Sequence, residues 1–366
     1  MPPTPLLSAI ASRDLARLKT MLAKLRDPIP ARAIGAAAGN GWKDGVVALA
    51  DAGGDLNALH RNYRPLHALI QEKPHVGGSS TAERLACLEW MLAHGADPEQ
   101  LGAWPLARAL VIAAFVGEPA YVRALVDAGA SRDIFTAAAL GDVAVVKALL
   151  KKDRALAATR DQGLLTTLQC CGGSRMGASD KTIAAALVEI ARALADAGAD
   201  PNAQTKSWAH HVAVSYFVIR SGQIETLKLL LGRGMDATAA VGTAAWENRE
   251  DVLDVLLAHG AELNRAKDNA RPVLNELVRW GQFANARLLL RKGADPNIAD
   301  DKGWTALHQA ASRGNVQMIK DLIAAGADPT RRGKDGDTPG DVALIKNKPA
   351  VVSLFGVDAT PSTRRR

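Results

Sequence analysis

The side chains best suited to chemistry in this chain are its 8 histidines, 3 cysteines and 7 tryptophans, together with one glycine-rich turn. Imidazoles and thiols suggest a metal. Yet His210 and His211 are adjacent, and on a helix adjacent side chains diverge by about 100°. No Cys-x-x-Cys or His-x-x-x-His pair completes a zinc shell. Cys170 and Cys171 are neighbours and Cys87 stands alone, an odd set that fits free thiols in a reducing cytoplasm better than disulfides. The turn Cys171-Gly172-Gly173-Ser174-Arg175-Met176-Gly177 combines yielding backbone with one guanidinium, enough to hold a phosphate or carboxylate. It lacks the preceding strand and the Lys-Ser/Thr of a nucleotide loop, so a plain insertion between two helices competes with that reading. No Gly-x-Ser-x-Gly elbow, kinase set or Cys-His-Asn order can be found. No catalytic residue, metal or cofactor is assigned.

The elements that must position these residues announce themselves through turns. Helix-like apolar stretches end repeatedly in Gly95-Ala96-Asp97-Pro98, Gly198-Ala199-Asp200-Pro201-Asn202, Gly293-Ala294-Asp295-Pro296-Asn297, Gly326-Ala327-Asp328-Pro329, or worn versions of these. Before most of them, apolar residues recur at helical spacing, as in Val316, Ile319, Leu322 and Ile323. About one helix earlier stands a second residue tolerant of left-handed backbone: Gly41, Gly117, Gly141, Gly222, Asn248, Gly281 or Gly314. Each unit therefore reads as helix, short turn, helix, loop. A chain of 366 residues is too long for one ordinary core, but a stack of such units escapes that limit because each buries itself against its neighbours.

Residues Ile298 to Thr330, with Thr305-Ala306-Leu307-His308 as a version of the Thr-Pro-Leu-His motif, closely resemble an ankyrin repeat. The resemblance extends over nearly the whole chain in about ten or eleven units. It implies an all-α solenoid of paired antiparallel helices with short hairpin fingers, its concave groove lined by first helices and finger tips. Leu6 to Arg26 and Arg331 to Ala359 keep the periodicity without the turn motif, as atypical capping units do. The spacing of the turns falls into short, long and intermediate units, which suggests a three-unit module repeated about three times. The expected divisions are residues 1–26 as N-terminal cap, 27–133, 134–238 and 239–330 as modules, and 331–366 as C-terminal cap and basic tail. The short units near Ala33–Asp51, Ile134–Lys151 and Ala240–Ala258 leave no room for a finger. The two insertions fall near Pro74–Ser80 and Gly172–Gly177.

By the same resemblance the chain binds another protein through the groove and its inserted loops, without chemistry of its own. Trp104, Trp208 and Trp304 each precede the first helix of the last unit in a module. That places three aromatics near the finger edge, where they suit partner recognition or cover their own finger. Trp42, Trp90, Trp246 and Trp280 read as packing residues. His67 and His308 match the motif histidine, which makes structural hydrogen bonds in the family, and His94 and His259 lie in Ala-His-Gly turns. Asn275, Tyr216 and Gln169 replace the motif histidine in other units, where they face either a ligand or local backbone. The run from Asp268 to Glu276, with Arg271, is unusually polar. The expected partner-binding set is Trp104, Arg175, Trp208, His210, His211, Tyr216, Arg271, Asn275 and Trp304. The alternative is a small-ligand or metal groove, enzymatic in its strongest form, built from the polar first helices of the central repeats.

Composition narrows the rest. The net charge of +7 is modest for this length, and basic residues are spread without the aromatic interleaving of single-strand nucleic-acid binders. The terminal Arg364-Arg365-Arg366 reads as a solvated tail. Apolar runs such as Ala109–Val116 fall far short of the roughly 20 residues that cross a bilayer, and Met1–Pro5 carries no export signal, so a cytoplasmic protein is expected.

Overall fold

The computed structural model describes residues 5–71, 78–207, 210–265 and 271–356, without the side chains of Ser207 and His210. It divides into two compact units, Met1–Gly234 and Met235–Arg366.

In the first unit, helices come in pairs. They are α1 (Pro5–Ala11) with α2 (Leu15–Leu22), α3 (Ala31–Gly39) with α4 (Lys43–Asp51), and α5 (Pro65–Gln71) with α6 (Thr81–Ala93). A hairpin of β1 (Leu101–Gly102) and β2 (Ala107–Arg108) precedes α7 (Ala109–Val116) and α8 (Pro119–Asp127). Then follow α9 (Ile134–Leu140) with α10 (Val143–Lys152), and α11 (Thr167–Gly173) with α12 (Lys181–Asp196). A second hairpin, β3 (Gln204–Ser207) and β4 (His210–Ala213), leads into α13 (Val214–Ser221) and α14 (Ile224–Leu231). The second unit holds α15 (Ala237–Trp246), α16 (Glu250–Ala258), α17 (Val273–Arg279), α18 (Phe283–Arg291), α19 (Ala306–Arg313), α20 (Val316–Ala324), α21 (Pro339–Ile345) and α22 (Pro349–Val352). The fold is all-α, as expected.

The turns work as their residues require. Gly41, Gly117, Gly141, Gly222, Asn248, Gly281 and Gly314 all have positive φ, and so do Gly95, Gly129, Gly198, Gly234, Gly260, Gly293 and Gly326. A side chain with Cβ is costly there, so glycine or asparagine recurs at each bend. First helices are small-residue helices buried nearly all round: Ala137, Ala138 and Ala139 of α9 are fully covered, as are Ala306, Leu307, Ala310 and Ala311 of α19. Small side chains let the next helix approach from both sides.

Two sets of polar contacts tie each repeat to the next. The asparagine closing one Gly-Ala-Asp-Pro turn clamps the following turn. Asn57 Nδ2 donates to Gly95 O (2.8 Å) while its Oδ1 accepts Asp97 N–H (2.7 Å), and Asn297 does the same to Gly326 and Asp328, both at 2.8 Å. The carbonyls left over at the C-terminal ends of first helices are taken by side chains from a neighbouring helix. Gln223 Nε2 donates to Cys171 O and Ser174 O, and Asn285 Nδ2 to Trp246 O. Arg84, fully buried in α6, donates from Nη1 to Gly39 O (2.8 Å) and from Nη2 to Leu69 O. Such pairing removes the cost of buried, unsatisfied helix ends.

The connection between α8 and α9, residues 128–133, contains no strand or bridge. Asp133 there caps α9, accepting the N–H groups of Phe135 and Thr136 at 3.0 Å, and is ion-paired with Arg108 at the foot of the β1–β2 hairpin. With no finger in between, the hairpin reaches the loop before α11, where Gly163 packs so tightly on Leu106 O that a Cβ would lie only 1.9 Å away.

Candidate functional site

The first unit holds a cleft. It has a volume of about 830 Å³ and is ringed by α5, the hairpin tip, the end of α7, the residues after α11, and α13. Its floor is aromatic. Trp104 meets Tyr216 edge-on, with ring centroids 5.5 Å apart and planes at 88°. Tyr216 in turn stands edge-on to Phe217 at 5.6 Å, and Phe217 lies 5.7 Å from Phe115. Edge-to-face geometry of this kind sets the positive rim of one ring against the negative face of the next. Trp104 is itself held by Gln71, whose Nε2 donates to its carbonyl at 2.8 Å.

Two guanidiniums share this wall. Arg220 sits 5.3 Å over the Tyr216 ring and donates from Nη1 to the Tyr216 hydroxyl. Arg175 donates from Nη2 to Arg220 O at 2.9 Å, and its own N–H bonds Ala114 O of α7 at 2.9 Å. Both arginines are exposed, yet each is pinned at a defined place. The one carboxylate on the lining, Glu118, caps α8 by accepting Ala120 N–H at 3.4 Å.

Three of the expected partner-binding residues, Trp104, Arg175 and Tyr216, thus meet in one cleft. Arg220, Phe115 and Phe217 join them without having been singled out. Arg220 stands four residues after Tyr216 on one helix face, a spacing that would have flagged it. The other expected residues lie elsewhere. Trp208 falls outside the described residues. His210 and His211 are on strand β4 rather than on a helix, and His211, whose side chain is described, is exposed. Arg271, Asn275 and Trp304 belong to the second unit. Arg271 is ion-paired to Glu276 (3.2 Å) and Asp300 (3.4 Å), and Trp304 stacks on His308 with centroids 6.0 Å apart.

The residues replacing the motif histidine mostly serve the backbone. His308 itself accepts Thr305 N–H at Nδ1 (3.1 Å) and donates from Nε2 to Asp337 O (3.2 Å). Gln169 repeats this geometry, accepting Thr166 N–H (2.8 Å) and donating to Val212 O (2.9 Å). Asn275 is buried and donates to Trp304 O (2.8 Å) and Ile298 O (3.2 Å), so its amide is consumed by the following finger and does not reach a partner surface. His67 donates to Ala107 O at 2.9 Å, but its helix is preceded by Arg64 instead of threonine, and Nδ1 has no partner. Burial, reinforced by the Arg64 charge and opposed by the Ala107 bond, lowers its pKa to about 4.

Other expectations are corrected. Gly172 and Gly173 form no anion-holding loop: they are the buried last turn of α11, where a Cβ on Gly173 would come within 2.5 Å of the Phe115 ring. Close packing, not a yielding turn, explains the glycines. Trp246 and Trp280 do not pack inside. They end their helices at 41% and 57% exposure, with Trp280 Nε1 donating to Glu276 Oε2 at 2.9 Å. The thiols of Cys170 and Cys171 are fully buried, which raises the pKa of the first well above the usual value and that of the second to about 12. Among the described residues, no three His, Cys, Asp or Glu side chains gather as a metal requires, and no helix is long and apolar enough to cross a membrane.

Comparison with known proteins agrees with the architecture. Residues 274–323 match the family model for ankyrin repeats in many copies. No curated protein matches the chain. Among solved structures, the crystal structure of the human ASB11 ankyrin repeat domain is similar at 22% identity and a TM-score of 0.46, over 63% of this chain and 100% of that one. The match covers residues 274–323 of the second unit, and paired helices and turns of the same kind recur through both units.

Proposed function

We propose that this protein is a non-catalytic scaffold that holds a partner protein in the cleft of its first unit, with Trp104, Arg175 and Tyr216 as contact residues. Ankyrin repeats generally act as protein-interaction scaffolds. The observation that carries the reading is the convergence of those three side chains, from a finger, an inserted turn and a first helix, on one cavity of about 830 Å³. Aromatic rings bury much area at small entropic cost, and interface energy concentrates on such anchors. His211, on strand β4 of the finger preceding α13, extends the surface, and Arg271 and Trp304 are secondary contacts on the second unit. A cytoplasmic setting accords with the three free cysteines.

The test is affinity capture with the full chain beside a Trp104→Ala, Arg175→Ala variant whose melting curve matches the wild type. Proteins retained by the wild type should be lost from the variant by about tenfold or more. Retention at unchanged strength would remove the cleft from the contact surface.

A further inference from the structure

Trp104 stands on a hairpin loop, and the turn before α11 presses against that loop at Leu106. We propose that Gly163 of this turn is a positioning residue for partner binding: by leaving room for Leu106 it sets the place of Trp104. The inference rests on reading the cleft as the binding surface.

The turn leading into α11 has the same build as the turn leading into α19. Asp161 N–H donates to Leu165 O (2.9 Å) and its Oδ1 accepts Leu165 N–H (2.8 Å). Asp300 makes the same two bonds with Trp304, at 2.8 and 2.9 Å. Each turn ends in a threonine N-cap, Thr166 or Thr305. Two residues before the cap the backbone is left-handed, with φ of 69° at Leu164 and 74° at Gly303, and the same holds for Gly336 (82°) before the Thr338 cap. Glycine suits that place because a Cβ crowds the backbone there. In the α11 turn the place holds a leucine instead, and its side chain, 53% exposed, gains little burial in return.

The glycine of this turn stands one residue earlier, where the α19 turn has Lys302. Gly163 is outside the left-handed region, so its backbone angle does not call for glycine. Space does. A Cβ at 163 would lie 1.9 Å from Leu106 O and 2.8 Å from Leu106 C, and backbone atoms cannot swing aside as the end of a flexible side chain can. The chain thus accepts a disfavoured residue at 164 and keeps bare backbone at 163, where the turn meets the hairpin. Leu106 and Trp104 share the loop of residues 103–106 between β1 and β2, so the seat of Leu106 on the turn is passed on to Trp104. Two other ties of this loop, Ala103 N–H to Asn62 O (2.7 Å) and Gln71 Nε2 to Trp104 O (2.8 Å), run to the preceding repeat. Gly163 belongs to the repeat of α11, which packs on α13, the helix of Tyr216. It therefore sets the hairpin's position relative to the ring that Trp104 meets.

Fluorine NMR of the full chain labelled with fluorotryptophan tests this, the Trp104 signal being the one that Trp104→Phe removes and Tyr216→Leu displaces. Gly163→Ala should displace it as well, because the contact with Leu106 has to give. Leu164→Gly should leave the signal in place without lowering the melting temperature, since the strain relieved offsets the freedom gained by the unfolded chain. Gly163→Ala combined with Leu164→Gly puts the glycine back where the other turns have it. That double variant should stay folded with the signal displaced, and it replaces the single variant if the latter melts too low to measure. Gly35→Ala, where a Cβ meets open space, controls for glycine replacement as such and should leave the signal in place. Proteins that the wild type captures and Trp104→Ala loses should fall by about fivefold or more on Gly163→Ala. A Trp104 signal unmoved in both Gly163 variants would overturn the positioning role and leave the cleft reading standing. So would a displaced signal with capture at wild-type strength, where Trp104→Ala abolishes capture. Capture indifferent to Trp104→Ala would overturn the cleft reading and, with it, any role of Gly163 in binding.

Discussion

Tyr216 of α13 meets Trp104 of the β1–β2 finger edge-on at 5.5 Å, although α7, α9 and α11 lie between them in sequence. Both line the cleft, and Tyr216 also touches Phe217 of its floor and Arg220 of its wall. If the contact is energetic and not merely geometric, the two residues are coupled. Trp104→Ala, Tyr216→Ala and the double variant, unfolded in urea, should give an interaction energy of about 1 kcal/mol. Strictly additive losses would show that the rings only share a cavity.

Arg84 is the largest fully buried polar side chain, and it joins α3 and α5 by donating to Gly39 O and Leu69 O. Arg84→Met keeps most of the volume but strands both carbonyls. Each buried acceptor left unpaired costs on the order of 1–3 kcal/mol, so a loss of about 3 kcal/mol is expected in chemical denaturation. A loss below about 1 kcal/mol would mean that water reaches these helix ends.

The asparagine clamps should behave as separable units. Asn297→Ala removes the bonds to Gly326 O and Asp328 N–H and should cost about 1 kcal/mol. Asn297→Asp keeps the acceptor but sets a carboxylate oxygen against Gly326 O, two acceptors with no hydrogen between them, so it should cost more than alanine does. Equal losses for the two substitutions, read from thermal melts, would contradict the assigned roles.

His67 gives a pH signature of known sign. Burial lowers its pKa from 6.5 to about 4, so between those values the unfolded chain binds a proton that the folded chain refuses. Stability therefore rises with pH through this window, by up to about 1.4 kcal/mol per unit. His308, also lowered by burial, adds in the same direction, while Asp161, whose carboxyl burial raises, opposes both. The difference between wild type and His67→Gln isolates the single group. Its slope should be positive between pH 4 and 6.5 and flat above. A flat difference throughout would show that His67 titrates normally in the fold.

The repeat was legible because its bends demand particular backbones. Gly117, Gly222 and Gly314 had to be glycine for reasons internal to their turns, and so they stood out in one dimension. Trp104 could be singled out because it recurs at matching places with Trp208 and Trp304, Arg175 because it is the guanidinium of a glycine-rich turn, and Tyr216 because it replaces the motif histidine. What could not be read was proximity. Nothing local in Thr81–Ala93 says that Arg84 turns inward, because its acceptors belong to helices of other repeats. Asn275 looked available for a ligand only because the finger that takes its amide lies more than a helix away in sequence. Trp246 and Trp280 carry an apolar type at helix ends, and type alone misplaced them.

The bare connection at residues 128–133 has a consequence for how such a site could arise or be erased. The cleft lies in the same unit as this connection, which carries no finger. An ordinary finger grafted between Asp127 and Ile134 would have to be accommodated beside Asp133, whose ion pair with Arg108 ties this connection to the β1–β2 hairpin that carries Trp104. The setting of Trp104 can therefore depend on residues that never touch the cleft.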